Sequence, residues 1–232
     1  PGDKVLVRIT DYGDSRRPPR GEILRSLGAS LSLGANYESV LLAAGIRTEF
    51  PGEVLRDAER AAAEPISPAG RLDLREAAIL TIDGADAKDL DDAISLEKRR
   101  DGWLLGVHIA DVSHYVREGS PTDKEAIARG TSVYFTDKVV PMLPECLSND
   151  VCSLNAGTDK YALSALITLD KQGKIKDCRV ENSIIRSKVR GVYSEVNDLF
   201  EKKSKSKFYA KYKPVYKALA DMYPLYQLLA AN

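Results

Sequence analysis

Apolar and polar residues alternate from 5 to 10 (VLVRIT), which predicts a half-buried strand. A turn-rich basic stretch follows at 12–20 (YGDSRRPPR), and 21–27 (GEILRSL) predicts a second strand. Two strands do not make a stable unit alone, so this pair reads as the last hairpin of a small β-barrel. Helices are predicted near 37–44 and 52–63, and the PISPAG stretch at 65–70 marks the main boundary.

Beyond residue 71 the pattern becomes mixed. A buried strand is expected at 78–82, and a hairpin at 93–96 and 103–109 across the turn signal Asp101-Gly102. Pro121 opens a helix, with Thr122 and Glu125 as a capping box. Strands are expected at 163–169 and 175–185. Helices should follow at 194–203 and 214–230, with Pro224 kinking or breaking the second. The fold class expected is α+β, a mixed sheet with helices, divided as 1–30, 31–70 and 71–232. The abrupt start in a strand and the uncapped apolar end (LYQLLAA) suggest a piece of a longer protein.

Composition changes this picture little. Hydrophobic residues make up 44% of the 232 and charged residues 29%, ordinary for a globular protein. Net charge is +0, which gives an RNA partner no support by itself. The distribution is uneven, however. Acidic residues gather at 83–92 and basic ones at 186–217, a combination suited to a metal-using enzyme with a polyanionic substrate. Cys146, Cys152 and Cys178 are odd in number and contain no CxxC pair. That argues against zinc and a disulfide framework, and for a reducing, cytoplasmic setting. No apolar stretch approaches the ~20 residues of a membrane-spanning helix, so no membrane partner is expected.

The chemistry concentrates in TIDGADAKDLDDA, residues 81–93. Asp83 should end a strand, and Asp89, Asp91 and Asp92 follow after a short polar connection. Carboxylates gathered at strand ends repel one another unless protons or cations neutralise them. Hard divalent ions favour such oxygens, and two ions ~3.5–4 Å apart can clamp the attacking and leaving oxygens of a phosphodiester. A calcium loop of the EF-hand kind fails on spacing, because Ile94 stands where its closing Glu would be. The apolar strands on both sides argue against an exposed acidic turn, while a phosphotransferase using the Asp89-Leu90-Asp91 pair remains open on spacing alone. Of the two histidines, His108 lies within an apolar strand and reads as a hydrogen-bonded core residue. Asp111 reads as a structural acceptor. Lys138, Arg129 and Lys160 are indistinguishable from surface charge.

Three segments in order, DLREAAILTIDGADAKDLDDAISLE, HIADVSHYVREGSPTDKEAIARGTSVYF and PMLPECLSNDVCSLN, resemble the catalytic domain of the ribonuclease II / ribonuclease R family, closer to ribonuclease R. Upstream, VLVRITDY and RPPRGEILRSLG resemble the closing strands of that family's cold-shock (OB-type) barrel. The division then becomes a barrel remnant at 1–30, a helical connector at 31–70 and the N-terminal portion of an RNB-type domain at 71–232. The resemblance implies a 3′-to-5′ exoribonuclease releasing nucleoside 5′-monophosphates by a two-metal mechanism with Mg²⁺, or Mn²⁺ in its place. The partners implied are single-stranded RNA and other RNA-decay factors. It also implies metal ligation by Asp83, Asp89 and Asp92, a catalytic role for Asp91 with Asp89, and stacking of an RNA base on Tyr134. From the residues alone, Tyr134 is equally a core aromatic.

The departures are as informative. The family's later motifs, which supply an arginine and a glutamate, have no counterpart before Asn232. Nor has its S1-type RNA-binding domain. Val192 in RSKVRGVY replaces an expected hydroxyl residue. The alternative is therefore a catalytically incomplete RNA-binding fragment or scaffold of such an enzyme.

Overall fold

A computed structural model describes residues 2–136 and 138–231. The first two strands, β1 (Asp3–Asp11) and β2 (Arg20–Ala29), pair antiparallel with three register shifts. Their apolar side chains stay open: Val5, Val7, Ile9, Ile23 and Leu24 are all exposed. Helix α1 (Leu33–Ala43) is tied to this hairpin by Lys4 Nζ, which donates to Asn36 Oδ1 at 2.6 Å. Helix α2 (Gly52–Ala62) follows and buries Val54 and Ala58 against the main body.

That body is a seven-stranded mixed sheet. Its strands are β3 (Leu72–Asp73), β4 (Ile79–Asp83), β5 (Asp92–Arg99), β6 (Gly102–Ala110), β9 (Asp159–Asp170), β10 (Ile175–Arg186) and β11 (Val189–Val192). They lie in the order β11-β4-β5-β6-β9-β10-β3. The edge strands β11 and β3 pair parallel with their neighbours, and the inner pairs are antiparallel. The α+β expectation holds. A separate short hairpin, β7 (Val133–Tyr134) with β8 (Val139–Val140), stands beside the sheet.

One face of the sheet is covered by α2, the short α3 (Val112–Tyr115), and a π-helical turn at Cys146–Val151, around Ile79, Leu90, Leu147, Leu154 and Ile185. A second cluster is built by α5 (Tyr193–Lys202), α6 (Tyr209–Tyr212) and α7 (Tyr216–Ala230) around Leu80, Val189, Leu199, Tyr212 and Leu219. The π-helical turn is a rare element that often marks functional sites. No described helix is long and apolar enough to cross a membrane.

Three local expectations are corrected. Helix α4 (Pro121–Arg129) is capped by Ser120, whose Oγ accepts from the Asp123 amide at 3.1 Å, while Asp123 Oδ2 accepts from Gly119 N. Thr122 is instead buried and donates to Asp57 Oδ2 of α2 at 2.7 Å. Glu125 accepts from Arg47 and Arg129. Tertiary pairing has taken both residues of the expected capping box. Helix α7 also continues through Pro224, so the break expected there does not occur. The carbonyl that loses its donor belongs to Ala220, and both residues are exposed, so water can serve it. The side chains of Arg129 and Lys160, which read as surface charges, are buried. Arg129 donates to the carbonyls of Arg47, Glu49 and Pro141. Lys160 donates to Asp150 O of the π-helical turn at 2.6 Å.

His108 is a core histidine, as its strand setting implied. Its Nδ1 lies 2.7 Å from Ser164 Oγ and its Nε2 3.0 Å from Ser95 Oγ. Burial pushes its pKa down from 6.5 to about 4. The unfolded chain therefore binds the proton first on acidification. Stability is full above the unfolded pKa and falls as the pH drops from there toward the folded pKa. The loss should reach about 2 kcal/mol near pH 5. Denaturant unfolding across that range checks this, and His108→Gln, which does not titrate, should remove that part of the acid-side loss.

Candidate active site

The aspartate segment runs from the end of β4 to the start of β5. Asp83 closes β4 and Asp92 opens β5, so the sheet itself aims two of the four carboxylates into one connection. Between them, Leu90 is fully buried in the core while Asp91 stays exposed. Leu90 acts as a peg. Its amide donates to Ser153 Oγ at 3.0 Å, and its carbonyl accepts from Leu154 N at 2.8 Å. Ser153 Oγ also donates to Lys88 O at 3.0 Å, and Ala110 N donates to Asp91 O at 2.8 Å. An apolar residue pinned between Asp89 and Asp91 thus fixes where both carboxylates leave the backbone.

The four carboxylates act on one another. Burial, then Asp92 and Asp89, push the Asp83 carboxyl pKa up against the pull of Arg190. Asp91 is raised by desolvation and then by Asp89, Asp92 and Asp83, so all three others bear on it. Among the described residues, no three His, Cys, Asp or Glu side chains already stand as a finished ligand group. What does invite a cation is Asp83 Oδ2, which is buried and has no hydrogen-bond partner in the protein. Such an oxygen costs about 1–3 kcal/mol unless something compensates it. An all-carboxylate donor set suits a hard divalent ion.

Tyr134 is 65% exposed, so it is not a core residue. Its hydroxyl donates to Asp89 Oδ2 at 3.2 Å. Burial and the Asp89 charge raise its phenol pKa, which keeps that proton in place. Tyr134 and Asp89 line a cleft of about 710 Å³ together with Lys88, Lys138, Phe135 and Tyr37. Tyr37 of α1 packs edge-on against Phe135, with ring centroids 4.6 Å apart, and Lys138 Nζ lies 4.9 Å from the Tyr37 ring. Asp111 accepts from Arg71, Ser113 and the His114 amide, a structural acceptor outside the aspartate group.

Arg190 is the site residue the sequence did not single out. It sits on β11, opposite Thr81 of β4, and its Nη2 donates to Ala85 O at 3.1 Å and Ala87 O at 2.6 Å. No local motif announces it. Only the parallel pairing of two strands a hundred residues apart brings it here.

Residues 71–232 match the family model of the RNB domain, and residues 1–51 that of the Cold shock domain. Ribonuclease R of Thermotoga maritima is 44% identical over 218 residues, which cover 92% of this chain and 31% of that protein. The chain spans about a third of the length of that relative. RNase R of Mycoplasma genitalium has been solved in complex with ribose methylated single-stranded RNA and with double-stranded RNA. In each case it superposes with a TM-score of 0.89 at 32% identity over 99% of this chain, which spans 36% and 41% of those chains respectively. The yeast pseudonuclease Ssd1 shares the fold at a TM-score of 0.65 and 21% identity, over 91% of this chain and 27% of its own. With the family model covering most of its length, this chain belongs to the RNB-domain family, that of ribonuclease II and ribonuclease R.

Proposed function

We propose that this chain carries the aspartate half of a hydrolytic 3′-to-5′ exoribonuclease site, one that releases nucleoside 5′-monophosphates from single-stranded RNA. The observation that carries the reading is the buried, unpartnered oxygen of Asp83 among the neighbouring aspartates, of which Asp89 lines a cleft with aromatic rings and lysines. Asp83, Asp89 and Asp92 are the residues that would hold Mg²⁺, with Mn²⁺ as a substitute. When bound, the cation neutralises the carboxylates and stabilises charge on the phosphodiester, two ions being the arrangement that four carboxylates suit best. Asp91, open to solvent and under the influence of the other three, would act on the reacting phosphate.

The rest of the cleft binds rather than reacts. Lys88 and Lys138 offer positive charge to the RNA backbone. Tyr134 offers a ring face to a base near the 3′ end, and its bond to Asp89 orients that ring. Stacking accepts any base, which fits a nuclease that reads no sequence. Tyr134→Ala should therefore weaken RNA binding by about 1–3 kcal/mol, the range of one stacked base. Tyr134→Phe keeps the ring and should lose much less. Fluorescence anisotropy with a labelled oligonucleotide measures both.

The yeast pseudonuclease is a reason to test activity and not infer it from the fold. A 5′-labelled single-stranded RNA, incubated with the chain in Mg²⁺ and in EDTA, is the test. Shortening from the 3′ end in Mg²⁺ alone supports the reading. RNA binding with no cleavage in either condition favours the scaffold alternative, in which the remaining positive charge must come from elsewhere.

A further inference from the structure

Among the described residues, the buried side-chain atoms without a hydrogen-bond partner are Thr81 Oγ1, Asp83 Oδ2 and Arg190 Nε. They are not scattered. Arg190 pairs with Thr81 and Val192 with Asp83 along the parallel β11–β4 ladder. Because side chains alternate, Thr81, Asp83, Arg190 and Val192 share one face of these two strands. The strands are also held close: a Cβ on Gly191 would lie 2.4 Å from Thr81 O. Native proteins satisfy nearly all buried polar atoms, so a group of orphans on one small patch marks a place kept for something else.

The Arg190 guanidinium does two jobs from this patch. Its Nη2 reaches the carbonyls of both Ala85 and Ala87, while its charge pulls against the raised Asp83 carboxyl. The segment it grips has little internal support. The backbone bond within it is Ala87 N to Gly84 O, at a long 3.3 Å. Its far end is pinned through Lys88 and Leu90 to Ser153 and Leu154. Without Arg190 the near end, 84–87, would hang between Asp83 at the end of β4 and the pinned Lys88–Leu90 stretch, held by the long Ala87–Gly84 bond.

We propose that Arg190 is a positioning residue that straps the 84–87 segment and so steadies Asp89 against Asp83, and with it the affinity of the site for its divalent cation. This rests on the proposed cation role of those aspartates. It predicts the opposite of what charge alone predicts. As mere charge, a cation beside the site repels a metal ion, and its removal tightens metal binding. As a strap, its removal loosens the site and weakens binding.

The test compares the wild-type chain with Arg190→Lys and Arg190→Ala. Mn²⁺ binding is followed by electron paramagnetic resonance, and amide hydrogen exchange is followed over 84–91. Arg190→Lys keeps charge and length, so it reports even where the alanine variant folds poorly. The strap predicts faster exchange over 84–91 in both variants. It also predicts a Mn²⁺ dissociation constant raised about 10-fold or more in Arg190→Ala, the usual effect of losing a residue that orients metal ligands. Arg190→Lys should fall in between: an ammonium can donate to both carbonyls, as the single Nη2 does, but it lacks the planar guanidinium that holds that nitrogen in place. Added guanidinium should partly restore Arg190→Ala. Wild-type exchange and affinity in both variants overturn the proposal, as does tighter Mn²⁺ binding in Arg190→Ala with Arg190→Lys unchanged. A wild-type chain that binds no Mn²⁺ refutes the cation reading of the aspartates and the affinity claim with it. The exchange comparison then decides the strap alone.

Discussion

Asp91→Asn should abolish RNA hydrolysis while leaving RNA binding and the fold in place. The substitution keeps the shape of the side chain and the backbone bond from Ala110 N to Asp91 O. It removes one charge from the residue on which Asp89, Asp92 and Asp83 all bear. The loss in turnover should be on the order of 10³-fold or more, the scale seen when one electrostatic partner of a transition state is deleted. Stability should move the other way. The Asp91 carboxyl pKa is raised in the folded state, so its ionised form at neutral pH opposes folding. A neutral amide relieves that repulsion. The thermal midpoint without metal should hold or rise, even as activity disappears. A midpoint that falls with the activity would mean that Asp91 is structural and that its charge is not the point.

Leu90→Ala is the second large effect, and it tests the peg. Leu90 is 1% exposed and packs in the cluster of Ile79, Leu147, Leu154 and Ile185. Truncating such a side chain costs about 2–5 kcal/mol, depending on how far the cavity collapses. Its backbone bonds to Ser153 and Leu154 remain possible, so the chain should still fold, at a lower denaturant midpoint. The consequence for the site should exceed the consequence for the fold. With the peg gone, Asp89 and Asp91 on either side lose their fixed departure points. Metal binding should weaken in Leu90→Ala more than in Ile79→Ala, a change of comparable burial away from the loop. Equal weakening in the two would show that only global stability matters.

Much of this molecule was legible in its sequence, for identifiable reasons. The strands of the central sheet are long enough for alternation to show, and the Asp101-Gly102 turn fixes one hairpin. The aspartates could be placed because a strand ends at Asp83 and another opens at Asp92, so few paths can join them. Tyr134 stayed ambiguous because its strand has two residues, too few for any period. The helix cap at Ser120 was misread because Thr122 and Glu125 fit the local pattern equally well, and only the contacts with Asp57, Arg47 and Arg129 decide. Ser153 and Arg190 were out of reach altogether. Each acts on the aspartate segment across a long sequence separation, through registers that no local pattern encodes. The RSKVRGVY stretch stands out in sequence for Val192, where a hydroxyl residue is expected, and not for Arg190.

The proposed site, in which Asp83, Asp89 and Asp92 hold a divalent cation beside Asp91, can be tested by locating the ion itself. The direct measurement is to soak crystals of the chain in Mn²⁺ and locate the ion by its anomalous scattering. A peak is expected within ligand distance of Asp83 Oδ2 and of the Asp89 and Asp92 side chains, absent from crystals of Asp83→Asn grown alike. A peak elsewhere, or none at all, would contradict the cation role of these aspartates.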